Sequence, residues 1–214
     1  MLPHGAALGA FVTSAVVLLL IPGPAVFYII GRSLGQGRAA GLVSVCGISV
    51  GTLFHVLAAT LGLSAVLASS AAAFQTVKYL GAAYLVFLGV QKLMHREPEK
   101  LGEADVERVR LRRVFGQGVI VNILNPKSAL FFLAFLPQFV TPGRGNMREQ
   151  ILSLGLLFTS MGILSDGMWA MLAGTLAELM KKKKSCLNAQ RYFSGGLLIT
   201  LGLATAFTGS NRAK

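Results

Sequence analysis

"VIVNILNPKSALFFLAFLPQF", residues 119–139, is apolar enough to lie in a membrane, yet its centre holds Asn125, Pro126 and Lys127. Proline removes a backbone donor and clashes with the preceding turn of a helix. A lysine at the middle of a spanning helix costs about 2.5–3.5 kcal/mol on insertion scales. The order of the three residues is nevertheless that of a helix start. Asn125 is a good N-cap, and Pro126 fits the first helical position, where its missing N–H costs nothing. A half-helix is therefore predicted to begin at Pro126, inside an apolar segment.

Composition puts that segment in a bilayer. Of 214 residues, 54% are hydrophobic and 13% charged, and the mean hydropathy is +0.66. Soluble domains carry about 25% charged residues, so too little charge remains to cover a water-facing surface. Six apolar segments stand out, roughly 7–30, 41–67, 72–94, 115–140, 151–178 and 192–209. None has the strict alternation of a transmembrane strand, so the expected class is an all-α integral membrane protein with six transmembrane helices.

The only long polar stretch, "KLMHREPEKLGEADVERVRLRR" at 92–113, separates two groups of three. The expected organisation is a first three-helix repeat at 1–94, a charged cytoplasmic loop at 95–114 and a second repeat at 115–214. The N-terminal segment lacks the positive n-region of a signal peptide and is kept as a permanent span. Cys46 and Cys186 imply no framework of bridges.

Charge sets the orientation. Arg32 and Arg38 fall between the first two segments. Lys92, Arg96, Lys100, Arg108, Arg110, Arg112 and Arg113 lie between the third and fourth, and Lys181, Lys182, Lys183, Lys184 and Arg191 between the fifth and sixth. The opposite face has Arg144, Arg148, Arg212 and Lys214. The positive-inside rule then puts the central loop in the cytoplasm, and both termini outside if all six segments cross. A net charge of +12 would suggest nucleic acid in a soluble chain. No basic stripe is interleaved with exposed aromatics here, and contact with anionic headgroups explains the charge better.

A second break matches the first. Pro22, Gly23 and Pro24 interrupt the first span, and by the same logic a half-helix begins at Pro24. Pro24 and Pro126 are 102 residues apart, each in the first helix of its triplet. Three spans per half force opposite orientations, giving an inverted 3+3 repeat with broken first and fourth helices. Paired Pro/Gly-interrupted spans point to a transporter site near the midplane. Two half-helix N-termini beside Lys127 suit an anion such as a carboxylate.

Asp166, in "GILSDGMWAML", is the acidic residue well inside an apolar span. A lone buried carboxylate is costly, so Asp166 is a candidate ammonium ligand, proton carrier or ion partner of Lys127. His55 shares a helical face with Gly47 and Gly51 and is either a proton relay or a packing histidine. Asn122 and Asn125, three apart, could hydrogen-bond a polar solute. No cofactor is implied. The small-residue faces at Gly47 and Gly51 and at Gly81 and Gly89 suit packing within the chain or between two copies.

"IPGPAVFYIIGRSLGQGRAAGLVSVCGISVGTLFH", "YLGAAYLVFLGVQKL" and "NPKSALFFLAFLPQF" together resemble the LysE/RhtB family of bacterial amino-acid exporters, over nearly the whole chain. The resemblance implies export of amino acids or related solutes across the bacterial inner membrane, driven by proton motive force. The family covers lysine, arginine, threonine, homoserine, leucine and other substrates, and these motifs are common to them.

The expected site therefore comprises Pro22, Gly23, Pro24, Asn122, Asn125, Pro126 and Lys127 for substrate, with Asp166 and His55 for proton coupling or ammonium binding. One central cation and one central anion suit a zwitterion. The rival readings are a passive channel and an exporter of a different small solute or metal ion. Metal export favours clusters of carboxylate, His or Cys, whereas the apolar spans offer Asp166 and His55. A thiol–disulfide carrier would need two cysteines placed to pair, and neither broken helix has one. An intramembrane hydrolase would need a nucleophile and an oriented base. Ser44 and Ser49 share a span with His55, but no third group orients the imidazole.

Overall fold

In the computed structural model, residues 5–62, 71–94, 103–140 and 146–181 are described, together with Tyr192, Gly196, Leu198–Thr200, Leu203 and Ala206. Every regular element among them is helical. The first segment is two helices, α1 (Ala6–Leu20) and α2 (Pro24–Gln36), bent by 46° at the Ile21-Pro22-Gly23 break. The bend has a local cause: Pro24 sits at the first helical position of α2 and cannot extend the ladder of α1.

Gly37 alone joins α2 to α3 (Arg38–Thr60), ending one helix and starting the next with φ 87°. That left-handed conformation favours glycine, and it folds α3 back along α2. Then come α4 (Ala71–Met94) and α5 (Glu103–Ile123), followed by α6 (Pro126–Leu130). Beyond α6 the chain loosens and then tightens, as a π-helical turn over Phe131–Phe135 and a 3-10 turn over Leu136–Phe139. Pro137 in the second of these has no N–H to continue an α-helical ladder. Among the described residues the last long continuous element is α7 (Met147–Lys181), 35 residues without a break. At 1.5 Å per residue it is about 52 Å long, well beyond a hydrocarbon core of about 30 Å.

Two of these helices, Arg38–Thr60 and Met147–Leu179, are long and apolar enough to cross a bilayer, and the bent pair α1–α2 makes a third. Helix α5 begins inside the stretch read from sequence as loop, so residues 103–113 are an extension of the fourth apolar segment. Lys78 lies within α4, but its side chain is outside the described residues, as are Lys182, Lys183, Lys184, Arg191, Arg212 and Lys214.

Glycine sets the packing of the centre. A Cβ at Gly51 would lie 2.8 Å from Asn122 Cβ and 2.9 Å from the Val119 carbonyl oxygen. Gly47 meets the Phe115 carbonyl in the same way, and Gly118 faces Ser44. Helices α3 and α5 are thus parallel and touch backbone to backbone, as small-residue faces permit. Helix α7 runs antiparallel to α3, with Gly155 against Val56 and Gly174 against Arg38.

Two kinds of core result. At the Thr60 end, Phe11, Phe131, Phe132, Phe158, Leu136, Leu154 and Val56 form a buried cluster, against which Phe135 and Phe139 pack. Its rings make edge-on and stacked pairs, including Phe11 with Phe139 at 5.3 Å and Phe131 with Phe158 at 4.2 Å. Nearer the end that bears Gly37 and Lys181, Tyr28, Ile29, Val45, Ile48, Val121 and Ala170 pack with Leu85, Leu88 and Leu198. That basic end also holds an ion pair, Arg38 to Glu178 at 3.0 Å, between the start of α3 and the end of α7.

Candidate functional site

The two breaks meet. A Cβ at Gly23 would lie 2.9 Å from Lys127 Cδ, so only a glycine leaves the lysine stem its place. Asn125 caps α6 as its sequence position predicts: its side-chain oxygen accepts from the Lys127 backbone N–H at 3.1 Å. The Asn125 carbonyl accepts the first helical bond, from Ala129 N–H at 3.0 Å.

The Lys127 ammonium does not point at Asp166. It donates to the Leu18 carbonyl at 2.7 Å and to the Ile21 carbonyl. These are carbonyls at the C-terminal end of α1, which the break leaves without intrahelical donors. A cation there also meets the negative end of the helix dipole. Ser165 on α7 donates to a neighbouring carbonyl, that of Leu19, at 3.4 Å. Lys127 therefore ties the end of α1 to the start of α6.

Behind the lysine, Asn122 organises a buried network and is 1% exposed. Its amide nitrogen donates to the Ile48 carbonyl and to Thr52 Oγ1, both at 2.8 Å. Its oxygen accepts from Ser128 Oγ at 2.9 Å and Asn125 Nδ2 at 3.3 Å. All four hydrogen-bonding positions of the side chain are filled. His55 Nε2 is 2.9 Å from the Asn122 carbonyl oxygen, and its ring stacks on Phe132 at 5.9 Å.

These groups border one pocket of about 50 Å³, whose lining includes Leu18, Gly23, Val26, Ile48, Ser49, Thr52, Asn122, Asn125, Lys127, Phe158, Thr159 and Asp166. A volume of that order holds a few waters and is smaller than an amino acid. Asp166 is 7% exposed and has no hydrogen-bond or ion-pair partner among the described residues. Lys127 and Asp166 still act on each other electrostatically across the pocket.

Of the residues singled out from sequence, Gly23, Asn122, Asn125, Lys127 and Asp166 line this pocket. Pro22, Pro24 and Pro126 shape the breaks without lining it, and His55 lies behind Asn122. Sequence reading misses Ser49, Thr52, Ser128 and Thr159. Ser49, Thr52 and Thr159 each donate to the carbonyl one turn back, a common economy for hydroxyls in apolar helices. Ser128 lies near a break and Thr52 beside the glycine face of α3, but Ser49 and Thr159 carry no such signal.

A family model for LysE type translocators matches residues 16–209, the region that carries both breaks and Asp166. The chain belongs to this family. It is a membrane transporter, not an enzyme. This translocator is similar to a membrane protein of Bacillus subtilis (strain 168), YrhP, at 30% identity, with 93% of this chain and 98% of the relative covered. It is 28% identical to the homoserine/homoserine lactone efflux protein of Salmonella typhimurium, over 92% and 94% of the two chains. The leucine efflux protein of Salmonella typhi is 30% identical over 61% of each chain. No solved structure matches the translocator.

Proposed function

We propose that this translocator is a proton-coupled secondary exporter of a small neutral amino acid from the cytoplasm. The observation that carries the reading is the convergence of the two helix breaks on a pocket with Lys127 on one wall and Asp166 on another. One cation and one anion across a small cavity match the two ends of a zwitterion. Leu18, Leu19, Val26, Ile48 and Phe158 supply an apolar remainder suited to an aliphatic side chain. Relatives named for leucine efflux and for homoserine and homoserine lactone efflux support the substrate class.

In this mechanism all six segments span the inner membrane as an inverted 3+3 repeat. The basic end faces the cytoplasm and both termini lie outside. The substrate carboxylate takes the Lys127 ammonium, aided by the N-termini of α2 and α6. The ammonium takes Asp166. A buried carboxylate without a partner is costly, so Asp166 holds a proton whenever it does not hold the substrate. Exchange of one for the other couples proton influx to amino-acid efflux. His55, bonded to the Asn122 carbonyl, fixes the turn that carries Asn125 and Lys127, and a relay role is not needed. The narrow pocket must widen for each passage, by rocking of one triplet against the other.

The test is efflux of radiolabelled leucine and homoserine from proteoliposomes with and without an imposed pH gradient. Gradient-dependent efflux that Asp166→Asn uncouples is the expected result. Efflux that persists unchanged when the gradient is collapsed would instead identify a channel.

A further inference from the structure

Arg32 falls between the first two apolar segments by sequence and would be counted among headgroup-facing charges. In the structure it is a residue of α2, turned toward α5. Its Nη2 donates to Gln117 Oε1, and its guanidinium carbon lies 5.2 Å from the centre of the Tyr28 ring. Tyr28 is fully buried and is itself fixed, its hydroxyl donating to the Val114 carbonyl at 2.8 Å. The guanidinium plane is thus held between a ring and an amide, both neutral.

No Asp or Glu pairs with Arg32 among the described residues. Its Nε is buried with no hydrogen-bond partner among the described residues. Arg38, at the same end of the molecule, also has a buried Nε without a partner among the described residues; the two differ in that the Arg38 Nη2 holds the Glu178 carboxylate at 3.0 Å. A guanidinium offers a rigid fork of donors suited to a carboxylate, and here part of that fork is unused.

Position gives the cluster its meaning. Arg32 lies eight residues past Pro24 on α2, and Gln117 eight residues before Asn125 on α5. At 1.5 Å per residue each is about 12 Å from its break, on the basic side of the pocket. Ala25, Tyr28 and Arg32 lie at i, i+3 and i+7, on one face of α2, and Ala25 lines the pocket. That face leads from the basic end to the cavity, with the Tyr28 ring between. Among the described residues the opposite side of the pocket is closed by the aromatic cluster.

We propose that Arg32 is a carboxylate-binding station on the basic-end approach to the pocket, receiving the substrate carboxylate before Lys127 does. Gln117 and Tyr28 position its fork. The proposal rests on the exporter reading for its substrate and its direction.

The experiment compares leucine with leucinamide, which lacks the carboxylate, presented to the basic-end face of the reconstituted protein. Arg32→Gln should raise the KM for leucine about tenfold or more, as expected for loss of a charge-assisted pair, with maximal rate little changed. Leucinamide should not respond. Gln117→Glu keeps Arg32 but gives it a permanent carboxylate, and should raise the leucine KM in the same sense. An unchanged leucine KM in both variants, or equal effects on both compounds, overturns the station. Should the wild type carry leucine alone, as carboxylate binding at Lys127 predicts, or neither compound, in which case the exporter reading fails, the station is judged by chemistry instead. Modification of Arg32 by phenylglyoxal in detergent should be slowed by leucine and not by leucinamide. Protection by phosphatidylglycerol but not by leucine would overturn the proposal and assign the anion to a lipid headgroup.

Discussion

Methionine at position 127 would keep a stem of similar length against Gly23 and withdraw the ammonium from the Leu18 and Ile21 carbonyls. Those carbonyls then lack a donor near the middle of the bundle. We expect Lys127→Met to lower stability by about 1–3 kcal/mol, the usual cost of leaving a buried polar group unsatisfied. A fall in Tm of the detergent-purified protein measures it, and a variant as stable as wild type would remove the tie. Asn122 makes a sharper case, because its four partners come from α3, from the break at Asn125 and from α6. Asn122→Leu fills similar space but leaves the Asn125 and Ser128 donors without their acceptor. A loss of about 2–4 kcal/mol is expected where a buried network is broken in this way. The same thermal assay reads it, and export should fail with it.

At the level of the helix, the NPK break divides its labour between two residues, and they should respond differently. Asn125→Ala removes the cap and should cost about 0.5–2 kcal/mol. Pro126→Ala restores an N–H at a position where none is needed, so the break should persist and Tm should hardly move. A larger effect for Pro126→Ala would mean that proline, not the cap, sets the break. The start of α6 was legible in the sequence because cap chemistry is local and involves only Asn125, Pro126 and the next turn. The destination of the Lys127 ammonium was not, since backbone carbonyls exposed by a distant helix end carry no side-chain signature. Likewise the spacing of Gly47, Gly51 and His55 correctly turns the histidine inward. It could not tell that Asn122 stands between His55 and the pocket. Arg32 was misread because charge counting assumes where a helix ends. Helix α2 runs on to Gln36, and Gly37 alone makes the turn.

The two sides of the pocket close by different physics, and this bears on how the whole molecule moves. Toward the Thr60 end the seal is aromatic, with Phe11, Phe131, Phe132 and Phe158 buried and Phe135 and Phe139 against them. Toward the basic end the apolar packing around Tyr28 is capped by polar contacts: Tyr28 on Val114, Arg32 on Gln117 and Arg38 on Glu178. Packed rings exclude water and separate as a unit, whereas the polar contacts can exchange for water or substrate at small net cost. In the exporter proposed above, alternating access requires the aromatic seal to open only when the polar one is shut. Phe11 belongs to α1 and Phe139 to the turn after α6, so their contact spans the two broken segments that meet at Lys127. Cysteines at positions 11 and 139, joined by a short thiol-reactive cross-linker, should hold that seal closed. We expect cross-linking to abolish net efflux of leucine from proteoliposomes while leaving leucine able to bind from the basic-end face. A reducible cross-linker should give efflux back on reduction. Undiminished efflux with the link intact would show that the solute leaves by another path, and that the aromatic cluster is only core.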